Sequence, residues 1–153
     1  MNEKSRAYWQ AFWGEKKAPN QVTAWQFGAN PDHLLHLVQM GIKTATCSGH
    51  VFYEIEKEPL PQVGDYSIIL NSKDEPKAII QTTHIDIVPM NEVPESFARA
   101  EGEGDLSYEY WRREHINFFT KALKEFHREF QENMLVVCER FQLVHSLSED
   151  VVE

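Results

Sequence analysis

The stretch "PKAIIQTTHIDIVPM", residues 76–90, decides how the rest of the chain must be arranged. Seven of its residues are β-branched and a proline stands near each end, the signature of a long strand. Ile79, Ile85 and Ile87 share one parity, while Thr82, His84 and Asp86 share the other. Successive side chains of a strand point to opposite faces, so the expectation is one buried face and one polar or wet face. Two further strands suit it: "DYSIILNS" before it, joined by the short charged link "SKDEPK", and "NMLVVCERFQLVHSL" near the end. "QVTAWQFG" adds an apolar, β-prone piece closed by Gly28.

Helices surround these strands. "SRAYWQAFWGE" sets Tyr8, Trp9, Phe12 and Trp13 at helical spacing, an aromatic stripe for packing, for stacking on bases or for a partner surface. "ANPDHLLHLVQMG" carries Asn30 as N-cap, Pro31 at the first helical position and Gly41 just past the end. His33 and His36 on it are three apart, with no third metal ligand evident nearby. "GHVFYEIEKEPLPQVGD" reads as a short helix or irregular piece ending in a proline-rich turn. "NEVPESFARAEGEGD" starts as a helix and breaks at its two glycines. Ser107 then caps a long helix through Phe130, whose Trp111, His115, Phe118, Phe119, Ala122, Phe126 and Phe130 form a packing face. The order of elements is that of an α+β fold built on a strongly bent sheet or small barrel.

At 153 residues the chain is long enough for one domain with a core that needs no disulfide or metal. Its net charge of −9 argues against a long contact with a nucleic acid backbone, such as duplex DNA, which needs clustered cations. Cys47 and Cys138 are too few for a thiolate zinc site and read as reduced, packed residues. No apolar run is long enough to span a membrane and the N-terminus lacks a signal peptide's core, so the expected location is cytoplasmic. Residues 1–20 read as an N-terminal helix and linker, 21–146 as the domain body and 147–153 as a frayed acidic tail.

Three short stretches carry chemistry. In "GIKTAT", Lys43 follows a helix end and precedes Thr46 by three. Such a lysine can simply be a solvated charge at a helix C-terminus. It can also share a cleft with Thr46, where an amine stripped of water takes the hydroxyl proton. In "AEGEGDLS", Glu101, Glu103 and Asp105 alternate with glycines and fall on one side if the segment is extended. Packed like charges would force a proton onto one carboxylate or draw a divalent metal; the plainer reading is an acidic loop at a helix N-terminus. In "YWRREH", Arg112 beside Trp111 at the start of a helix is either a phosphate-binding pair or surface charge.

These pieces, in this order, resemble the ASCH domain family of the PUA-like superfamily. The carrying residues are the G-x-K-x-x-T of Gly41, Lys43 and Thr46, then "VGDY", "AEGEGDLSYEYWRREHINFF" and "MLVVCERFQLV", over roughly residues 22–146. The match looks like the bacterial subgroup with an extra N-terminal aromatic helix. The resemblance implies a small β-barrel with flanking helices, a cleft holding the motif lysine, and RNA or nucleoside binding. Some small members are amidohydrolases that cleave N4-acetylcytidine with the motif lysine, the motif threonine and a glutamate. Here these are Lys43, Thr46 and Glu103, with Glu101 or Asp105 able to fill the glutamate's place. In that chemistry Thr46 attacks the acyl carbon, Lys43 is the base and Glu103 holds it, with no cofactor required. Other members are reported as metal-dependent ribonucleases, in which Glu101, Glu103 and Asp105 would hold a divalent ion. A binding cleft would draw on Gly41, Lys43, Ser107, Trp111 and Arg112, with Trp25 or Tyr53 to stack a base. A non-catalytic interaction module, self-associating as a homodimer through the aromatic stripe, is the third class.

Overall fold

The computed structural model describes residues 1–147, and the long strand Pro76–Pro89 is its spine. The elements run α1 (Glu3–Trp13), β1 (Val22–Trp25), α2 (Pro31–Gln39), β2 (Ala45–Gly49), α3 (His50–Glu56), β3 (Tyr66–Leu70) and β4 (Pro76–Pro89). A 3-10 turn at Met90–Glu92 follows, then α4 (Glu95–Ala100), α5 (Tyr108–Lys124) and β5 (Leu135–Ser146). The five strands form one sheet in the order β1-β3-β4-β5-β2. β1 pairs parallel with β3; every other pairing is antiparallel.

The α+β expectation holds, with the sheet bent but not closed into a barrel. β1 and β2 lie at opposite edges with no ladder between them. What meets the start of β2 instead is the end of α4: the Thr44 N–H donates to the Ala100 carbonyl at 2.8 Å.

The alternation read in β4 does not survive as one buried face. Ile79 and Ile80 are both fully buried, Thr82 is buried, and Ile87 is exposed. Two causes act together. The first half of β4 is covered on both sides: Trp9 of α1 packs with Ile68, Leu70 and Ile79, while Leu34, Leu35 and Val38 of α2 pack with Ile69, Ala78 and Ile80. A strand sandwiched in this way is apolar without alternation. The ladder with β5 then slips at Ile79/Ile80 and at Thr82/His84, and each bulge changes which parity faces inward. Past the second, Val88 is the residue that joins the core formed by Phe97, Trp111, Phe119 and Val136 under α4 and α5.

The caps are as the sequence implied. Asn30 accepts from the His33 N–H, Pro31 opens α2, and the Ser107 hydroxyl accepts from the Tyr110 N–H at 3.1 Å. α5, however, stops at Lys124 rather than Phe130. His127 adopts φ +58°, and the N–H groups of His127 and Arg128 turn back onto Lys124 and Leu123, the closure usually made with glycine. Phe118 and Phe126, expected on the packed face, are exposed. Residues 148–153, most of the expected acidic tail, lie outside the described residues. Among the described residues, no helix is long and apolar enough to cross a membrane.

Candidate functional site

Gly41, at φ +77°, lets the chain leave α2 sharply, and the N–H groups of Ile42 and Lys43 both return to the Leu37 carbonyl. That turn drives Lys43 inward, where it is 2% exposed. Its ammonium donates to the Ala45 carbonyl at 2.9 Å, to Glu103 Oε2 at 3.1 Å and to the Glu101 carbonyl at 3.3 Å. Glu101 Oε1 lies 3.6 Å away, and the Phe27 ring centroid 5.3 Å away. Everything the ammonium meets is an acceptor or an aromatic face, so the burial of a cation here is compensated.

Glu101 is as buried as the lysine. One of its oxygens receives the Trp111 indole N–H and lies 3.1 Å from His115 Nε2. His115 Nδ1 is 2.7 Å from the Trp111 carbonyl, which can only accept. Both imidazole nitrogens thus donate, and His115 is an imidazolium. Burial works against the charge on Glu101, but Lys43, His115 and the Trp111 N–H outweigh it and hold the carboxyl below its usual range. Burial likewise works against the cation of His115, yet the Glu101 hydrogen bond and charge raise its proton affinity. Lys43, His115, Glu101 and Glu103 therefore form a charge-balanced quartet.

The quartet lines a pocket of about 140 Å³ beside the free edge of β2. Phe27, Leu34 and Phe118 give it apolar walls, Thr46 and Cys47 face it from β2, and Glu114 stands on α5. The Cys47 thiol is pushed well above its usual range, first by its contact with Cys138 and then by burial, so it is not a thiolate nucleophile. Both thiols are free.

Lys43, Thr46, Glu101 and Glu103 are thus brought together, and the other candidates are not. Gly41 shapes the turn without lining the pocket. Trp25 packs edge-on against Phe27, behind the wall. Tyr53 bonds Ser48 at 2.9 Å, and Arg112 pairs with Glu132. Trp111 stands behind Glu101, and Ser107 is spent as a helix cap.

The three carboxylates do not fall on one side. Gly102 and Gly104 take φ +71° and +60°, so the loop is coiled rather than extended. A Cβ on Gly102 would lie 2.5 Å from the Ile42 carbonyl oxygen, which is why glycine is needed there. Asp105 turns outward to accept from the Ser107 N–H at 2.9 Å. Glu101 and Glu103 face an ammonium where a divalent ion would have to sit. Among the described residues no three His, Cys, Asp or Glu side chains converge in a metal-binding group. The donor set does not fit a metal site.

Phe27, Phe118, Glu114, Cys47 and His115 were not singled out as pocket residues in the sequence. Phe118 carried a misleading signal, because its spacing matched the packing face of α5.

A bent mixed sheet with helices on both faces and a lysine-floored cleft at its edge defines a PUA-like protein. The chain belongs to the ASCH domain family, whose model matches residues 23–145. It is similar to the solved ASCH domain from Lactobacillus crispatus JV V101, with 32% identity and TM-score 0.88, covering 94% of this chain and 96% of that one. It is also similar to a protein from Enterococcus faecalis V583, with 40% identity and TM-score 0.82, covering 94% and 90%. A search of curated proteins gives no match.

Proposed function

We propose that the pocket receives the base of a nucleoside, free or in an unpaired stretch of RNA, and that Thr46, Lys43 and Glu103 hydrolyse an acyl group carried on its amine, as in an N4-acylcytidine. The observation that carries this reading is the buried ammonium of Lys43, bonded to Glu103 in the same pocket that Thr46 lines. The cavity is smaller than the roughly 300–1,000 Å³ of drug-sized sites, so it suits one planar ring with the rest of the ligand outside. Phe118, 51% exposed at the wall, offers that ring a stacking face. A net charge of −9 favours a footprint of one or a few nucleotides.

In the proposed reaction Lys43 lends a proton to Glu103 and becomes the amine that takes the Thr46 hydroxyl proton. Thr46 Oγ1 bonds to the acyl carbon, the carbon–nitrogen bond breaks, and Glu103 returns its proton to the leaving nitrogen. Water then attacks the acyl-threonine with the same proton movements, releasing a carboxylic acid and Thr46. Nothing observed favours metal-dependent RNA cleavage, since Asp105 turns away and Glu101 and Glu103 converge on an ammonium rather than on room for a cation. The decisive assay is deacylation of N4-acetylcytidine with chelator present, comparing the wild type with Lys43→Ala. Turnover in the wild type and a loss of at least about 100-fold in the variant is expected. Equal rates, or none in either, would remove the hydrolytic reading.

A further inference from the structure

Thr46 and Cys47 are consecutive residues of a strand, and their side chains point to opposite faces of the sheet. Both nevertheless line one pocket. That is possible only if the pocket meets β2 edge-on, so the backbone between them forms part of the wall. The ladder shows which backbone groups face outward. The Phe141 N–H donates to the Thr44 carbonyl at 3.1 Å, which makes Ala45–Arg140 a non-hydrogen-bonded pair. By alternation Thr46–Glu139 is a bonded pair and Cys47–Cys138 is not. The Thr46 N–H and C=O therefore point to β5, and the Cys47 N–H and C=O point away from it. Because β2 is an edge strand, they point off the sheet. The neighbouring outward carbonyl, that of Ala45, is the one that holds the Lys43 ammonium.

The pocket's charged donors are already committed. The three hydrogens of Lys43 go to Ala45, Glu101 and Glu103, and both nitrogens of His115 donate to Trp111 and Glu101. No acceptor among the described residues takes the Cys47 N–H. We infer that this backbone N–H is the hydrogen-bond donor to the carbonyl oxygen at the ligand's reacting carbon. The assignment rests on the hydrolytic reading above and completes it. As Thr46 attacks, the carbonyl oxygen gains negative charge, and a fixed donor aimed at that oxygen lowers the barrier. A nucleophile followed at once by the residue whose N–H holds the oxyanion is the arrangement of a nucleophile elbow, here placed on the free edge of a sheet. The ligand class follows: an acyl or amide carbonyl set beside the Thr46 hydroxyl.

An edge strand permits a clean test, because proline is tolerated where the N–H makes no ladder bond. Cys47→Pro removes that N–H and leaves the pairing with β5 intact. Cys47→Ala removes the same thiol and keeps the N–H, so the ratio between the two isolates the donor. With N4-acetylcytidine as the probe, Cys47→Pro should turn over about 100–1,000-fold more slowly than Cys47→Ala, mainly in kcat, with matching melting temperatures. Equal kcat in two folded variants overturns the assignment while leaving the hydrolytic reading standing. No turnover in the wild type, with Lys43→Ala no different, removes both. If Cys47→Pro does not fold, the amide resonance of Cys47 in 15N-labelled Thr46→Ala protein, which cannot consume the probe, decides. A downfield shift on saturation with N4-acetylcytidine supports the donor, and a stationary Cys47 resonance amid shifting pocket residues overturns it.

Discussion

Glu101 and Glu103 are one glycine apart and chemically alike, yet the fold gives them different work. Glu101 is buried between two cations, Lys43 and His115, and accepts the Trp111 N–H. Glu103 keeps 31% of its side chain exposed and meets Lys43 at the pocket mouth. Removing one partner from a buried charge pair leaves the other uncompensated, at a cost of about 3–5 kcal/mol. Removing a partly exposed partner costs about 1 kcal/mol or less. Urea denaturation should therefore show Glu101→Ala losing about 3–5 kcal/mol and Glu103→Ala about 1 or less, while deacylation is lost in Glu103→Ala. Similar denaturation midpoints for the two variants would show that Glu101 is not a structural counter-ion. Lys43 and Thr46 were legible in the sequence because a helix ended by Gly41 runs straight into the short segment that carries both, three residues apart; that Thr46 sits on a strand was not. Which carboxylate faces inward was not, because positive φ at Gly102 and Gly104 breaks the alternation on which such a reading depends.

Among the elements, those with local signals were read correctly, and those shaped by neighbours were not. The caps of α2 and α5 are local: Asn30 and Ser107 each bond an N–H three residues on. The end of α5 is not, since nothing in "KEFHREF" announces that His127 will take a left-handed conformation. The faces of β4 depend on bulges against β5 and on helices covering both sides of its first half, none of which its own periodicity contains. In α1 the helical spacing of the aromatics is itself a local signal for packing, and it holds. Its aromatic stripe turns inward, with Trp9 5% exposed and Tyr66 edge-on against it, and it closes one face of the sheet over Ile68 and Ile79. Trp9→Ala should cost about 3–5 kcal/mol by urea denaturation, through lost burial and the cavity left behind. A variant of unchanged stability, whose only change was in self-association, would instead return α1 to the role of a partner surface.

For the molecule as a whole, the charge pattern sets how stability responds to pH. Glu139, on β5, is pushed up to about 7 by burial and by the charge of Asp65, against a hydrogen bond from Thr82. Its proton affinity is higher folded than unfolded, so its contribution is complete below about 4.5, the usual value, and is lost as pH rises through about 7. His115 is also raised, from 6.5, so its contribution is complete below that pH and is lost as pH rises through its folded value. Glu101 is lowered from 4.5, so its contribution is present above that pH and lost as pH falls through its folded value. The signs agree on a maximum on the mildly acidic side of neutrality and a decline toward alkaline pH. A net charge of −9 adds self-repulsion in the same direction. The melting temperature should fall between pH 5 and 8, and Glu139→Gln should flatten the part between 5 and 7 while leaving the fall that His115 adds above 6.5. A wild-type curve that is level across this range, or a variant just as steep, would mean that Glu139 is solvated and that β5 does not bury it beside Asp65.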